Sequence, residues 1–289
     1  MSADGRPGPG PDGLLLIDKP GGITSHDAVA AVRRALQTRK VGHAGTLDPM
    51  ATGLLVMGVG RATRLLRFLG DLPKDYEGTM RLGVETTTLD AEGEIVRTVP
   101  VTADDDAIRA AMTAKLGASA QRPPAFSAVK VDGRKLYDAA RKGEHLEAPA
   151  RIVRVDRFDL TAREGPDVSF VCSVSGGTYV RVLAADVGAA LGSAAHLTAL
   201  RRTAIGPFTV ETATSADEPG EPLPLERAVT HLPRFDLEYE EAIAAGHGRI
   251  LAPAAIEGPY GVYDPDGRLI GVYRDDGAKA RPLVILAPR

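Results

Sequence analysis

The stretch that most constrains this chain is residues 41–55, a loop that runs directly into an apolar segment. It contains three glycines and the dipeptide Asp48-Pro49. Glycine adopts backbone angles that other residues avoid, and proline disfavours the helical conformation for the residue before it. The apolar run over residues 54–59 is typical of a buried strand. We therefore predict a strand-anchored loop that presents the Asp48 carboxylate, although Asp-Pro is equally typical of an ordinary turn.

The length and composition predict a globular chain with substantial cores. Its 289 residues, 44% of them hydrophobic, are enough for one large and one small domain. The longest apolar runs, residues 14–17 and 54–57, are far too short to span a membrane, and the start lacks a signal-peptide pattern. We therefore expect a cytoplasmic protein. The single cysteine, Cys172, permits no intrachain disulfide and fits a buried core position.

The formal charge of -3 hides a strong asymmetry along the chain. Residues 33–83 carry nine Lys and Arg against four Asp and Glu, and residues 121–163 carry ten against six. Residues 211–241 carry two against nine. Two basic regions beside an acidic one are compatible with nucleic-acid binding, and a solvated mixed surface is an equally ordinary interpretation.

Composition also divides the chain. Residues 1–12 are rich in glycine and proline and predict a disordered tail, while the acidic, proline-rich residues 213–232 predict a linker. Between them we expect a domain over residues 13–212. One helix, capped by Ser25, is expected to run to about residue 36, a second is expected over 103–116, and an alternating strand is expected at 74–83. Beyond the linker, turn residues 264–267 between apolar runs predict a hairpin in a second domain, residues 233–289.

Several segments resemble one family. GHAGTLDPMATGLL, residues 42–55, resembles the catalytic motif of the TruB family of pseudouridine synthases, which isomerise a uridine in tRNA. LLLIDKPGGITSHDAV at residues 14–29, PPAFSAVKVDGRKLY at 123–137 and GTYVR at 177–181 resemble further segments of that family. The resemblance covers residues 12–210 strongly and 233–287 loosely.

The resemblance implies roles for particular residues. Asp48 would be the catalytic carboxylate, Arg181 its partner, and Tyr76 a ring that stacks on the target base. Leu200 would line the uracil pocket, Tyr179 would also bind the substrate, and His43 would help to hold the extruded nucleotide. We also expect RNA contacts from six basic residues, namely Lys19, Arg61, Arg64, Lys130, Arg134 and Arg141.

The residues alone leave other interpretations open. Tyr76 in an alternating strand is typical of a core aromatic, and Lys19 is typical of a solvated turn. From the residues alone, Arg181 is typical of a surface residue, on a strand that would place it on the same side as Tyr179. The acidic turn at residues 88–94 reads as solvated scaffold.

The family pattern implies an α+β fold with a mixed, largely antiparallel central sheet flanked by helices, the pseudouridine synthase fold. An insertion at about residues 121–150 would grip the RNA, and a small C-terminal β-barrel resembling a PUA domain would bind it further. The implied reaction converts uridine 55 in the T loop of tRNA to pseudouridine. We expect recognition of the T stem-loop by a monomer without cofactor or metal. The alternative is an RNA-binding chaperone that folds tRNA without essential chemistry.

Overall fold

The structure is a computed structural model that describes residues 11–286 except 128, 132 and 145. Most of the expected tail, residues 1–10, lies outside the described part, as do residues 287–289. The end of that expected tail differs from the prediction. Asp12 accepts hydrogen bonds from the Arg61 backbone N–H at 2.7 Å and from its Nε at 2.6 Å. A carboxylate held by two donors is not part of a freely moving segment.

Strands and short helices alternate along the described chain. The α-helices are α1 Ser25–Ala35, α2 Asp105–Thr113, α3 Leu136–Ala140, α4 Val180–Ala190 and α5 Tyr239–Gly246. The strands are β1 Gly13–Lys19, β2 Val41–Ala44, β3 Thr52–Val59, β4 Lys74–Leu82, β5 Val84–Thr86, β6 Ile95–Thr98, β7 Gly117–Gln121, β8 Lys130–Val131, β9 Arg134–Lys135, β10 Arg151–Glu164, β11 Asp167–Val174, β12 Ala195–Ile205, β13 Phe208–Thr209, β14 Arg234–Asp236, β15 Pro259–Tyr263, β16 Leu269–Asp276 and β17 Lys279–Ile285.

A nine-stranded sheet forms the centre of the molecule. Seven strands follow the order β1-β3-β12-β4-β11-β10-β7, while β2 pairs with β3 and β13 with β12. Within this sheet β12 and β3 run parallel, and the other pairs are antiparallel. This confirms the expected mixed, largely antiparallel sheet. The parallel pair brings the strand after the Asp48 loop beside the strand that carries Leu200.

Alternation along β4 determines which face of the sheet is covered. Tyr76, Met80 and Leu82 are buried, whereas Asp75 and Glu77 on the opposite face are exposed. The buried face packs against apolar residues of α2 and α4, and α1 covers β1 and β3 in a second cluster. Cys172 lies in the first cluster at 1% exposure, as its apolar neighbours predicted.

Two local predictions are wrong. Thr24, not Ser25, caps α1, because its hydroxyl accepts from the Asp27 N–H while Asp27 accepts from the Thr24 N–H. Residues 180–190 form helix α4 instead of a strand, so Tyr179 occupies the N-cap position and Arg181 lies in the first turn. Leucine and alanine at 183–185 favour a helix once the preceding glycine turn has reversed the chain.

The C-terminal residues form a four-stranded sheet in the order β14-β15-β16-β17. Among the described residues this sheet is open, so the expected closed barrel is not observed. Its apolar side shares a cluster with the large sheet, in which Tyr263, Val272 and Val284 join Leu14 and Leu54. The two sheets are therefore joined by packed apolar side chains as well as by the backbone.

The expected linker is also packed. Leu14 and Leu223 exchange hydrogen bonds at 2.9 and 2.7 Å, and Thr214 donates its N–H to the Leu16 carbonyl at 2.9 Å. Ala228 and Val229 are buried in the cluster shared by the two sheets. Proline and acid predicted a linker here, and the structure shows that backbone groups of this segment pair with β1 whatever its side chains are. Within the described residues no helix is long and apolar enough to span a membrane.

Candidate active site

The loop that carries Asp48 is fixed from both sides. Ser25 Oγ accepts from the Leu47 N–H at 2.9 Å and donates to the Leu47 carbonyl at 3.0 Å. On the other side, the Pro49 carbonyl accepts from Lys19 Nζ at 3.2 Å and from the Gly22 N–H at 2.8 Å. Gly45 turns the chain at φ +83°, a conformation that side chains with a Cβ rarely adopt. The Asp48 carboxylate is therefore presented by a loop with few alternative positions.

Arg181 binds Asp48 through two of its nitrogens. Nη2 donates to Oδ1 at 3.1 Å, and Nε lies 2.9 Å from Oδ2. The arginine side chain is only 4% exposed, whereas the carboxylate side chain is 33% exposed. A buried guanidinium facing a carboxylate at a cavity opening fixes the direction in which the carboxylate points. The predicted pairing of these two residues is present.

Asp90 completes the support of Arg181. Its Oδ2 accepts from Nη1 at 3.1 Å, and the same nitrogen donates to the Thr88 carbonyl at 2.9 Å. Asp90 is 2% exposed and also accepts from Thr88 Oγ1 at 2.5 Å. We expected the acidic turn at residues 88–94 to be solvated scaffold, and for Asp90 this is wrong. Its carboxylate is buried because it faces a buried cation.

Five of the predicted site residues line one cavity of about 360 Å³. They are Asp48, Tyr76, Tyr179, Arg181 and Leu200. Tyr76 and Leu200 are 6% and 8% exposed, so both offer apolar surface to the interior of the cavity. Tyr179 is held by Gln121, whose amide accepts from the Tyr179 N–H at 2.8 Å and donates to its carbonyl at 3.2 Å. A planar base would fit between such aromatic and aliphatic walls.

The cavity also holds cations that the motifs did not identify. Lys74, Arg151 and Arg202 line it, together with the hydroxyl-bearing Ser127 from the insertion. Lys74 donates to the carbonyls of Gly70 and Leu72 at 2.8 and 2.9 Å. The alternation of β4 and β12 was the available signal, because Lys74 and Tyr76 share one face, as do Leu200 and Arg202. A basic interior suits an anionic ligand such as RNA.

Burial and charge compete at Asp48. Removal from water raises the pKa of its carboxyl above the usual range, and repulsion from Asp90 acts in the same direction. Arg181 and Lys19 oppose this rise by favouring the carboxylate. The pKa of Lys74 is lowered to about 8 by burial, with repulsion from Arg202 adding to the effect. Burial thus disfavours the charged forms of both the Asp48 carboxyl and the Lys74 ammonium.

Lys19 corrects one prediction. Its side chain is fully buried, and Nζ donates to the carbonyls of Pro20 and Ile23 at 2.8 Å as well as to that of Pro49. Burial lowers the pKa of the ammonium. The interpretation as a solvated turn is wrong, and an RNA contact is excluded by burial. Lys19 instead supports the carbonyl of the residue after Asp48.

His43 lies beside the cavity without lining it. Its ring meets that of His26 edge to face at a centroid distance of 6.3 Å. Burial lowers the pKa of His43, and the nearby His26 and Arg202 lower it further. The imidazole is therefore favoured in its neutral form. Its expected contact with the extruded nucleotide stays a prediction.

The five remaining basic residues fall into two groups. Arg61 pairs with Asp12, and Arg64 Nη1 donates to the Ile285 carbonyl of the C-terminal sheet, so both make contacts within the chain. On the insertion, Lys130, Arg134 and Arg141 are exposed. Arg134 pairs with Glu144, and Arg141 lies 4.7 Å above the Tyr137 ring. The insertion is thus the more accessible candidate for RNA contact.

Comparison with known proteins identifies the family. The model of the TruB family pseudouridylate synthase N-terminal domain matches residues 33–180. A protein from Mycolicibacterium paratuberculosis named tRNA pseudouridine synthase B is 48% identical over 288 residues, covering 96% of this chain and 98% of that protein. The chain belongs to the TruB family of pseudouridine synthases. A Thermobifida fusca protein of the same name is 47% identical, with 96% and 99% coverage.

The match extends to the C-terminal part of this TruB family member. The model of the tRNA pseudouridylate synthase B C-terminal domain matches residues 181–218, and that of tRNA pseudouridine synthase II, C terminal, matches residues 232–287.

Solved structures share the fold. A chain of a Cbf5-Nop10-Gar1 complex aligns with a TM-score of 0.74 at 27% identity, covering all of this chain and 93% of that one. A chain of an H/ACA RNP bound to a substrate RNA containing 2′-deoxyuridine aligns with a TM-score of 0.72 at 25% identity, covering 96% and 86%. The large sheet with its flanking helices is therefore a pseudouridine synthase fold.

Proposed function

We propose that this pseudouridine synthase isomerises uridine 55 in the T loop of tRNA. The observation that carries the proposal is the Asp48 carboxylate, held by Arg181 at the edge of a cavity walled by Tyr76, Tyr179 and Leu200. Such a cavity admits one base that has been flipped out of its stack. The names of the relatives from Mycolicibacterium and Thermobifida support tRNA as the RNA.

The reaction is an isomerisation, so its atoms balance without a co-reactant. The bond between ribose C1′ and uracil N1 breaks, a bond between C1′ and C5 forms, the proton leaves C5, and N1 gains a proton. Asp48 acts as the nucleophile toward the flipped nucleotide, which requires its ionised form. The bond that Asp48 forms is broken again in the course of forming the new bond between C1′ and C5, so the carboxylate is regenerated. Arg181 keeps that carboxylate charged while the bound base excludes water. Tyr76 stacks on the base, which replaces the neighbours lost from the RNA stack.

The RNA surface extends outward from this cavity. The insertion at residues 121–150 grips the T stem-loop through Lys130, Arg134 and Arg141, whose side chains are exposed. We propose that the C-terminal sheet is a PUA-like module that contacts the RNA further. Residues 233–286 carry six Lys and Arg against nine Asp and Glu, so this contact is local to a few cations such as Arg274 and Lys279. The enzyme acts as a cytoplasmic monomer.

Substitution of Asp48 tests the proposed chemistry. In Asp48→Asn the volume is kept and the nucleophile is lost, so we expect pseudouridine formation to fall by roughly 10³-fold or more. Affinity for tRNA should stay within about tenfold, because the cavity walls and the insertion are unchanged. Nucleoside analysis of tRNA, with uridine 55 replaced by cytidine in a parallel substrate, measures both activity and position. Near-normal turnover by Asp48→Asn, or product from the replaced substrate, would contradict the proposal.

The same variant separates the enzyme from an RNA chaperone. A chaperone would promote folding of a misfolded tRNA equally well in the wild-type protein and in Asp48→Asn, whereas pseudouridine yield should follow the carboxylate alone. Asp106→Asn, on the exposed first turn of α2, is the matched control and should leave yield unchanged.

A further inference from the structure

Arg202 is the largest fully buried side chain of the described residues, at 1% exposure, and no motif assigned it a role. It lies on β12, directly opposite Tyr76 on β4 in the antiparallel register. Residues that face each other across such a pair project to the same side of the sheet, so their side chains are neighbours. Both side chains line the cavity that contains Asp48. The position of Arg202 is therefore at the site and not merely in the core.

The guanidinium connects three parts of the protein. Nε donates to the Leu54 carbonyl at 2.7 Å, and Nη2 donates to the Gly45 carbonyl at 3.0 Å. Tyr76 is its neighbour across the strand pair, and the guanidinium opposes the rise that burial gives to the pKa of the Tyr76 hydroxyl. Gly45 belongs to the loop that presents Asp48, three residues further along the chain. One planar group thus binds the loop that supplies the nucleophile and lies beside the residue on which the base would stack.

Burial of the Arg202 cation is not explained by a gain in stability. Within the described part of the chain, Arg202 has carbonyl acceptors but no carboxylate in an ion pair. A buried cation without a counterion is disfavoured, and well-packed apolar residues often serve a core equally well. Its charge also disfavours the protonated forms of Lys74 and His43 nearby. A fixed geometry at the cavity is a reason to keep such a group.

We propose that Arg202 is a positioning residue for the pseudouridine synthase reaction: it ties the Tyr76 ring to the Asp48 loop, so that a base stacked on the ring meets the carboxylate. This inference rests on the proposed roles of Asp48 and Tyr76. This positioning depends on two contacts of Arg202, one with Tyr76 and one with the Gly45 carbonyl of the Asp48 loop. Loss of either contact should therefore lower kcat to a similar extent, and loss of both should lower it little further.

Arg202→Lys tests the tie with the charge retained. A single ammonium on a flexible stem cannot reproduce the geometry in which the planar guanidinium binds two carbonyls beside Tyr76. We expect kcat on tRNA to fall by about tenfold to a hundredfold, with KM within about threefold, because the fault lies in alignment and not in RNA binding. The matched control is Arg201→Lys. The Arg201 side chain is 38% exposed and pairs with Asp18, so kcat should stay within about twofold.

A double-mutant cycle separates positioning from general support of the fold. Tyr76→Phe keeps the ring and removes the hydroxyl through which Tyr76 would interact with Arg202, so it should lower kcat by itself. In that background Arg202→Lys should cost less than about threefold further. Losses that multiply in full would show that Arg202 acts independently of Tyr76, and would overturn the proposal. Wild-type kcat in Arg202→Lys or in Tyr76→Phe would overturn it as well.

Folding is measured for each variant by urea denaturation. If Arg202→Lys does not fold, Arg202→Gln replaces it in the cycle. The kcat of Tyr76→Phe still tests the proposal by itself, because removal of one hydroxyl should leave the fold unchanged. Failure of the proposed function is distinguishable, because wild-type protein would then produce no pseudouridine at position 55. Active wild type beside unaffected Arg202 variants would reject only the positioning role.

Discussion

The buried Asp90 carboxylate accepts a hydrogen bond from Nη1 of Arg181 at 3.1 Å, while Nη2 of the same guanidinium donates to Asp48. Arg181 is thus held between two carboxylates, one buried and one facing the cavity. In Asp90→Asn an amide with its own donors would replace an acceptor, and the guanidinium should lose its fixed orientation. We expect kcat to fall by roughly tenfold or more with little change in KM. Asp167→Asn, which breaks the exposed pair with Arg81, is the control and should have wild-type kcat.

Dependence on pH should report the ionisation of Asp48. The reaction needs the carboxylate, so kcat should fall as pH drops through the pKa of Asp48, which burial raises above that of an ordinary aspartate. Arg181 opposes that rise. In Arg181→Lys the bidentate contact is lost, so the acid limb of the kcat profile should move to higher pH. The profile is measured under single-turnover conditions. An acid limb that stays in place or moves to lower pH would contradict this origin of the titration.

Lys74 should make stability depend on pH. Its pKa is about 8 in the folded protein, against an ordinary value of 10.5, so the unfolded chain binds more protons between these limits. Stability from this group is therefore low below pH 8 and rises up to about pH 10.5. Relative to Lys74→Met, the wild-type free energy of unfolding should increase over that window by up to about 3 kcal/mol. Urea denaturation at about pH 7, 9 and 10 tests this, with the exposed Lys142→Met as control.

The sequence predicted much of the site, because several of its determinants are local. The Asp48 loop followed from glycine, proline and an adjoining apolar strand, and alternation located the strand of Tyr76. Family resemblance supplied the partnership of Arg181 with Asp48. These features depend on short patterns within one segment.

Asp90 and Arg202 could not be predicted in the same way. Hydropathy assigns charged residues to the surface, and only tertiary contacts show that each of these is buried against specific partners. The segment over residues 213–232 also makes contacts that its composition does not predict. Its acidic and proline-rich side chains predicted a linker, but its backbone pairs with β1, which composition does not report.

Recognition of RNA should be local to the T arm. The cavity and the exposed cations of the insertion can enclose one flipped nucleotide and its loop, and sequence-specific readout of RNA generally uses such unstacked bases. A hairpin containing only the T stem and loop should be modified with kcat close to that of tRNA. Its affinity should weaken steeply as salt rises, because several phosphates are neutralised. Pseudouridine yield from the hairpin, a loop-mutated hairpin and intact tRNA provides the measurement. An inert hairpin beside active tRNA would show that distant elements are required.

The insertion should become more protected when RNA binds. The Phe126 carbonyl accepts from Arg181 at 3.0 Å, and the Ser127 carbonyl accepts from the Tyr137 N–H at 3.1 Å, so these bonds tie the segment to the site and to α3. RNA would add contacts to its exposed cations. Hydrogen exchange over residues 121–150 should slow on addition of tRNA, while the central strand β11 serves as the unchanged reference. Exchange that is already slow and insensitive to tRNA would contradict this.

The pairing of Leu14 with Leu223 also bears on how the chain folds during synthesis. β1, the first strand of the described residues, lies at the margin of the large sheet, and several of its outer hydrogen-bonding groups are satisfied by residues made about two hundred positions later. Until those residues leave the ribosome, β1 presents an open edge of the kind that recruits other chains. Pairing with residues 214 and 223 covers this edge once they have been made. Nascent chains that stall before this segment should therefore depend most on chaperones.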